Sequence, residues 1–219
     1  IPNIRLPYTV TDKADGIRKL LFIGESGKIY LIDVNMNIQF TGVVNMTNSL
    51  NNTIIDGEHI LHNKLGQFIN KYMAFDIYYI NKKDVRAEPF YDESEEKKTT
   101  GGRLVKLNKT LDKLELRGIV GEIVPLKINA KTFHISYDGQ NMFANCKKVL
   151  DRVKDDLFEY ETDGLIFTPI DKGVGSNMID SEWKSLIEIP EFIGYMNTPI
   201  LKATKGKEVL QFYNNGEYE

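Results

Sequence analysis

The chain has 219 residues, enough for one substantial domain with its own core and a small appendage. Hydrophobic residues make up 42% of the chain and charged residues 27%, which is typical of a globular protein and excludes collagen-like, mucin-like and prion-like classes. The net charge of -3 excludes a globally basic surface for nucleic acid, so any contact with RNA must be local.

The cysteine content and the length of the apolar runs limit which bonds, metal sites and cellular locations are possible for this chain. Cys146 is the only cysteine, which excludes an internal disulfide and a thiolate zinc site. No apolar run is long enough to span a bilayer and no signal peptide opens the sequence. We therefore expect no membrane partner and a location in the cytoplasm, or in the replication site or virion of a virus. The start at Ile1, without a methionine, predicts a fragment of a longer polypeptide.

Short β-rich runs dominate the first part of the chain. Apolar runs bounded by turn residues predict strands at 8–11, 20–24, 28–34, 38–44 and 72–80. The first four are predicted to form an antiparallel meander, and the last is apolar enough to lie in the middle of a sheet. Two shorter runs, 53–55 and 60–61, are predicted to flank a corner at Asp56-Gly57-Glu58.

The later part of the chain mixes helices with strands. Apolar residues at spacings of three and four predict two amphipathic helices, one through Leu104, Leu107, Leu111 and Leu114 and one through Phe143, Cys146, Leu150, Val153 and Leu157. Strands are predicted at 131–137 and 164–168, and an exposed loop at 88–102. Beyond Pro190, two β-rich runs predict a change to hairpin or small-barrel structure.

Four segments concentrate charged residues at predicted strand ends, where a rigid scaffold can hold them. They are Lys13-Ala14-Asp15-Gly16-Ile17-Arg18, Asp56-Gly57-Glu58, Phe75-Asp76 and Thr162-Asp163-Gly164. Lys13 is the only cation placed like a nucleophile, and the carboxylates of Asp56, Glu58 and Asp163 could bind the divalent metal ion that neutralises a triphosphate. A single Asp-Gly pair is usually just a turn, and a single lysine is usually just solvated. The order and spacing of all four segments together favour a catalytic site.

These segments resemble the motifs of the covalent nucleotidyltransferases, the superfamily of mRNA capping guanylyltransferases and polynucleotide ligases. Residues 13–18 match the Lys-x-Asp-Gly-x-Arg nucleophile motif, and 55–58, 73–77 and 162–169 look like the third motif, the one that follows it and the fourth. The last two are closer to capping enzymes than to ligases. Residues 10–16 most resemble the capping enzymes of large cytoplasmic DNA viruses.

The resemblance implies an α+β fold with an antiparallel two-sheet nucleotidyltransferase core and peripheral helices in residues 1–189. Residues 190–219 would be the start or remnant of an OB-like domain. The resemblance also implies that a lysine attacks the α-phosphate of GTP, releases pyrophosphate and passes GMP to the 5′-diphosphate end of an RNA. Mg²⁺ or Mn²⁺ would be the cofactor, and triphosphatase and methyltransferase domains would be fused or associated partners.

The same resemblance assigns a role to each site residue. Lys13 would be the nucleophile, and the metal ion would be held by Glu58, Asp163 and Asp56. The nucleotide-binding residues would be Asp15, Gly16, Arg18, Phe75 and Lys184. Within that set, Asp15 would orient the nucleophile or the ribose, Phe75 would stack on the guanine, and Lys184 would touch the α-phosphate.

One motif departs from the family pattern, and two other functions stay open. The fifth motif of capping enzymes reads approximately Lys-x-Lys-Pro, whereas this chain has Glu182-Trp183-Lys184-Ser185, and no basic sixth motif is found. The first alternative is the adenylation domain of an ATP-dependent polynucleotide ligase, which shares the lysine chemistry but uses AMP. The second is a non-catalytic nucleotidyltransferase-like module of a larger capping complex.

Overall fold

A computed structural model describes residues 7–92, 101–121, 123–136 and 142–174. Its elements in chain order are β1 Tyr8–Ala14, β2 Ile17–Ile23, β3 Lys28–Ile32, β4 Ile38–Asn45, β5 Thr53–His62, β6 Phe68–Ile80, β7 Lys83–Asp84, α1 Gly102–Asp112, β8 Leu116–Gly118, β9 Lys127–Ala130, β10 His134–Ile135, α2 Met142–Lys154 and β11 Thr162–Pro169. Among these residues, neither helix is long and apolar enough to cross a membrane. Lys184, the predicted boundary at 189 and the predicted OB-like segment lie outside the described residues.

The strands form two sheets. The larger one has the order β7-β6-β5-β2-β3-β4-β8, with β9 added beside β6, and the smaller one has the order β10-β1-β11. Every pairing is antiparallel except that of β6 with β9, which is parallel. The predicted antiparallel two-sheet core with helices is thereby confirmed for the described residues. The predicted meander holds for β2, β3 and β4 but is wrong for β1, which pairs with two strands from the later part of the chain.

The larger sheet buries one face against α1. Leu21 of β2 and Ile55 of β5 face each other in the register, are fully buried and share one core with Leu107 of α1. Because side chains alternate along a strand, the opposite face of the same strands carries Arg18 and Glu58, which also face each other in the register. The core therefore sets which face of the sheet presents the charged residues.

The smaller sheet packs against α2. The helix prediction is confirmed, and of the predicted apolar stripe Cys146 and Val153 pack in the core. The prediction is wrong for Phe143 and Leu150, which are 64% and 51% exposed. The buried residues of the helix are Met142, Asn145, Cys146 and Val149. Asn145 lies on the same side of the helix as the apolar residues that pack in the core, and its buried amide is satisfied by donating to the Ile135 carbonyl at 3.0 Å.

The predicted corner at Asp56-Gly57-Glu58 is absent, because Thr53–His62 is one continuous strand. Gly57 serves close packing in this strand. A Cβ atom there would lie 2.5 Å from Cζ of Tyr72 on the neighbouring strand. Asp-Gly occurs in turns, and it also occurs in strands where the glycine makes room for an aromatic ring on the neighbouring strand. The sequence does not distinguish the two cases, which is why a corner was predicted here.

Candidate active site

Lys13 lies where the ladder between β1 and β11 is irregular. Asp12 faces Leu165 and Ala14 faces Thr162, so the two residues Asp163 and Gly164 stand opposite the single residue Lys13. Such a bulge re-aims side chains, and here Nζ of Lys13 donates a hydrogen bond to the Asp163 carboxylate. The two side chains are 45% and 53% exposed, so the lysine is accessible to a ligand while remaining paired.

Phe75 is presented by a second bulge. Asp56 faces Asp76 and Gly57 faces Ala74, so Phe75 is an extra residue on β6. Its half-buried ring lies 6.0 Å from the guanidinium carbon of Arg18. The two predicted nucleotide-binding side chains are therefore neighbours in space.

Arg18 is held by a buried carboxylate. Its Nη2 donates to Oδ2 of Asp56 at 2.6 Å, its Nε donates to Oδ1 at 3.1 Å, and the hydroxyl of Tyr78 donates to the same carboxylate. The hydrogen bonds to Asp56 raise the pKa of Arg18 above its ordinary value. Because Asp56 is fully buried and its oxygens are engaged in this way, its position fits the orientation of Arg18 and does not fit the predicted contact with a metal ion.

Glu58 lies within electrostatic range of three cations, Lys131, Lys13 and Arg18. It is half-buried on β5, and this burial raises the pKa of its carboxyl, while the charges of Lys131 and Lys13 lower it. Gly16 makes room for it, because a Cβ atom at that position would lie 2.8 Å from Cγ of Glu58. Asp15 is exposed in the same turn, and its amide donates to the Glu161 carbonyl at 2.9 Å.

The carboxylates suit a metal ion that arrives with a triphosphate. Among the described residues no cluster of three or more His, Cys, Asp or Glu side chains forms a ready-made metal site. Mg²⁺ commonly takes only one or two protein carboxylates and completes its shell with phosphate oxygens and water. Glu58 and Asp163, which both interact with Lys13, are a donor set of that kind.

Two buried ion pairs adjoin the site and escape sequence reasoning. Asp12 pairs with Lys131 at 3.0 Å, and Asp76 pairs with Arg103 at 2.8 Å. Each acid directly adjoins a site residue along the chain, which is the only local signal of its importance. The cations lie far away in sequence and no pattern around them indicates a partner.

Comparison with known proteins decides the family. A family model described as mRNA capping enzyme, catalytic domain, matches residues 5–184. This chain belongs to that family. It is 28% identical over 201 residues to a probable mRNA-capping enzyme of Acanthamoeba polyphaga mimivirus, covering 78% of the chain and 16% of that protein. It is 27% identical over 185 residues to an mRNA-capping enzyme of Danio rerio, covering 78% of the chain and 28% of that protein.

Two further similarities are more limited. A stretch of 50 residues, 22% of the chain and 3% of the relative, is 52% identical to DNA topoisomerase 2 of Arabidopsis thaliana. The solved structure of a mycobacterial DNA ligase D complexed with ATP and MES matches 76% of the present chain and 50% of the ligase chain, with a TM-score of 0.48 and 12% identity. The chain spans less than a third of the length of either capping enzyme that it matches.

Proposed function

We propose that this domain is a GTP:RNA guanylyltransferase that forms a covalent lysine–GMP intermediate. The observation that carries the proposal is the accessible Lys13 paired with Asp163 at a bulge, within a domain of the capping enzyme family. Glu58 interacts electrostatically with both Lys13 and Arg18, and the guanidinium of Arg18 lies 6.0 Å from the centroid of the Phe75 ring. A carboxylate, a second cation and an aromatic ring are thereby linked to the lysine. A triphosphate and a base need these three kinds of group.

The proposed reaction has two displacements at phosphorus. The Lys13 ammonium first loses a proton to solvent, and the neutral nitrogen attacks the α-phosphorus of GTP. A nitrogen–phosphorus bond forms as the bond to the bridging oxygen breaks, pyrophosphate leaves, and the second proton on the nitrogen passes to solvent. A terminal phosphate oxygen of the RNA 5′-diphosphate then attacks the same phosphorus, and the lysine nitrogen leaves and is reprotonated.

The surrounding residues position groups and offset charge. Arg18, held by Asp56, would contact the nucleotide, and Phe75 would stack on the guanine. Glu58 and Asp163 would hold a divalent cation, which neutralises phosphate charge when it is bound. Roles for Asp15 at the ribose and for Lys184 at the α-phosphate remain proposals, as do fused triphosphatase and methyltransferase domains.

Labelling with two nucleotides tests the function. We expect an adduct with labelled GTP and Mg²⁺ that survives denaturation and alkali but is hydrolysed by acid, because protonation of the nitrogen releases a phosphoamide. Its yield should be at least about tenfold higher than with labelled ATP, because a site that hydrogen-bonds one base discriminates by more than about 1.4 kcal/mol. EDTA should abolish the yield, because a divalent cation must offset the charge of the triphosphate. Adduct formation with ATP alone would instead identify a ligase-type adenylation domain. No adduct with either nucleotide would identify a non-catalytic module.

Glu58→Gln is expected to separate stability from activity. Burial raises the pKa of Glu58 above its unfolded value, so the ionised side chain destabilises the free protein as the pH rises through that range. The uncharged, equally sized glutamine removes this cost, and we expect a melting temperature at pH 8 equal to or above that of the wild type. We expect GMP labelling to fall by about 10- to 100-fold, because a metal-site carboxylate is lost.

The same charge change at an exposed position is the control for this variant. Glu25→Gln alters a surface carboxylate that pairs with Lys82 at 3.1 Å, and it should change neither quantity. A Glu58→Gln protein that labels at the wild-type rate, or that melts well below the wild type at pH 8, would show that Glu58 serves the fold and not the nucleotide.

A further inference from the structure

A buried lysine lies directly behind the nucleophile strand. Lys131 is in the segment between β9 and β10 and is 4% exposed. Its Nζ donates to the main-chain carbonyl of Asp12 at 2.6 Å and forms an ion pair with the Asp12 carboxylate at 3.0 Å. The hydroxyl of Tyr160 donates to the same carboxylate at 3.1 Å. Both the main chain and the side chain of Asp12 are therefore held by groups from distant parts of the sequence.

The contact falls where the sheet itself leaves the nucleophile unsupported. The Asp12 carbonyl belongs to the peptide group whose nitrogen is that of Lys13. Regular pairing with β11 breaks between Asp12 and Ala14, so the ladder does not hold the intervening residue in register. The hydrogen bond from Lys131 to the Asp12 carbonyl holds the chain at this break.

Lys131 and Thr132, which follow β9, form hydrogen bonds with two successive residues of β1. Thr11 donates from its hydroxyl to the Thr132 carbonyl at 2.8 Å, next to the contact between Asp12 and Lys131. The main-chain nitrogen of Lys131 also donates to the Ala74 carbonyl at 2.7 Å, one residue before Phe75. A single residue thus joins the strand of the nucleophile in one sheet to the strand of the aromatic ring in the other.

We propose that Lys131 is a positioning residue for the Lys13 nucleophile. By holding the peptide group between Asp12 and Lys13, it sets the direction of the Lys13 side chain relative to the strand that carries Phe75. Its catalytic consequence rests on the proposed lysine–GMP chemistry, whereas its effect on the backbone around Lys13 does not. A one-ångström displacement of a reacting group can cost about 100-fold in rate, so such support is valuable to a nucleophile on an irregular stretch of strand.

The test uses a double variant, because the single one misleads. Lys131→Met alone leaves Asp12 charged and unpaired in the interior, which destabilises any fold. Asp12→Asn combined with Lys131→Met removes both charges, preserves the side-chain volumes and retains an acceptor for Tyr160. Replacing a buried ion pair by neutral groups is often without cost, so we expect a melting temperature near that of the wild type.

Three measurements on this double variant carry the proposal. The single-turnover rate of GMP labelling at saturating GTP should fall by about 100-fold, because the nucleophile is misdirected. The affinity for GTP should be unchanged, because the groups that contact the nucleotide remain. Amide hydrogen exchange in the peptide around Lys13 should accelerate, while exchange in β5 stays the same. Lys82→Met, which removes an exposed pair with Glu25, should change none of the three.

Each outcome either supports or overturns the proposal. A double variant that melts like the wild type, labels at its rate and exchanges at its rate shows a purely structural ion pair. If the double variant does not fold, Lys131→Arg is the fallback, because it keeps the charge but replaces the single ammonium by a planar guanidinium. A folded Lys131→Arg protein that labels at the wild-type rate overturns the proposal. If the wild type forms no adduct, the proposed function fails, and exchange around Lys13 in the double variant still decides whether Lys131 holds this segment.

Discussion

Lys13→Arg is expected to abolish covalent labelling by GTP, reducing it by more than about 10⁴-fold. Arginine keeps the positive charge and can still pair with Asp163, but its guanidinium does not deprotonate in proteins and so cannot attack phosphorus. The exposed pair contributes little to stability, and we expect the free energy of unfolding to change by less than about 1 kcal/mol. The measurements are adduct formation on a denaturing gel and unfolding in urea.

A lysine–aspartate pair on α2 supplies the matched control for this substitution. Lys147 pairs with Asp151 at 2.6 Å on the helix surface, and Lys147→Arg should label like the wild type. A GMP adduct on Lys13→Arg that is stable to alkali and labile to acid would mean that a different lysine is the nucleophile. Peptide mapping of the wild-type adduct would then identify that residue.

Arg103→Met is expected to destabilise the domain by about 3–5 kcal/mol, the usual cost of leaving one member of a buried ion pair without its partner. The guanidinium donates to both oxygens of Asp76, at 2.8 and 3.1 Å, and to the Lys172 carbonyl at 3.0 Å. Both side chains of the pair are buried. Because Asp76 adjoins the bulge at Phe75, the loss should also reduce GTP labelling.

The pH dependence of this deficit follows from the carboxyl group. Burial raises the pKa of Asp76, and the hydrogen bonds from Arg103 oppose that rise. Without the arginine, the pKa of Asp76 in the folded protein lies further above its value in the unfolded protein. The stability loss of the variant is therefore smallest while Asp76 is protonated and grows as the pH increases. Urea unfolding should therefore show a smaller deficit at pH 5 than at pH 8.

Arg86→Met is the control, because Arg86 and Asp84 form a similar pair at 2.7 Å with both side chains half exposed. Its cost should stay below about 1 kcal/mol. A deficit for Arg103→Met as small as that of the control, or equal at the two pH values, would show that the buried pair does not stabilise the fold as described.

The sequence by itself determined the residue types of the site and most of the elements that carry them. The local periodicity of apolar residues predicts strands and helices, which is why both helices and the strands β2, β3, β4 and β6 were predictable. The motif residues were recognisable for the same reason, since each lies in a short segment of fixed spacing. The structure pairs Lys13 with Asp163 and places the Phe75 ring 6.0 Å from the guanidinium of Arg18, and Glu58 interacts electrostatically with Lys13 and Arg18.

Only the tertiary structure decided how these segments are used, because the deciding contacts join residues far apart in the chain. The bulges at Phe75 and opposite Lys13 arise from the register between strands, which no single segment encodes. The burial of Asp56 beneath Arg18 makes it a holder of that side chain, although its Asp-Gly context looks like that of the metal-site candidate Asp163. Lys131 reaches the site because the segment after β9 contacts β1, where the lysine donates to the Asp12 carbonyl. Because Lys131 is buried, it makes a specific hydrogen bond there instead of remaining a solvated charge.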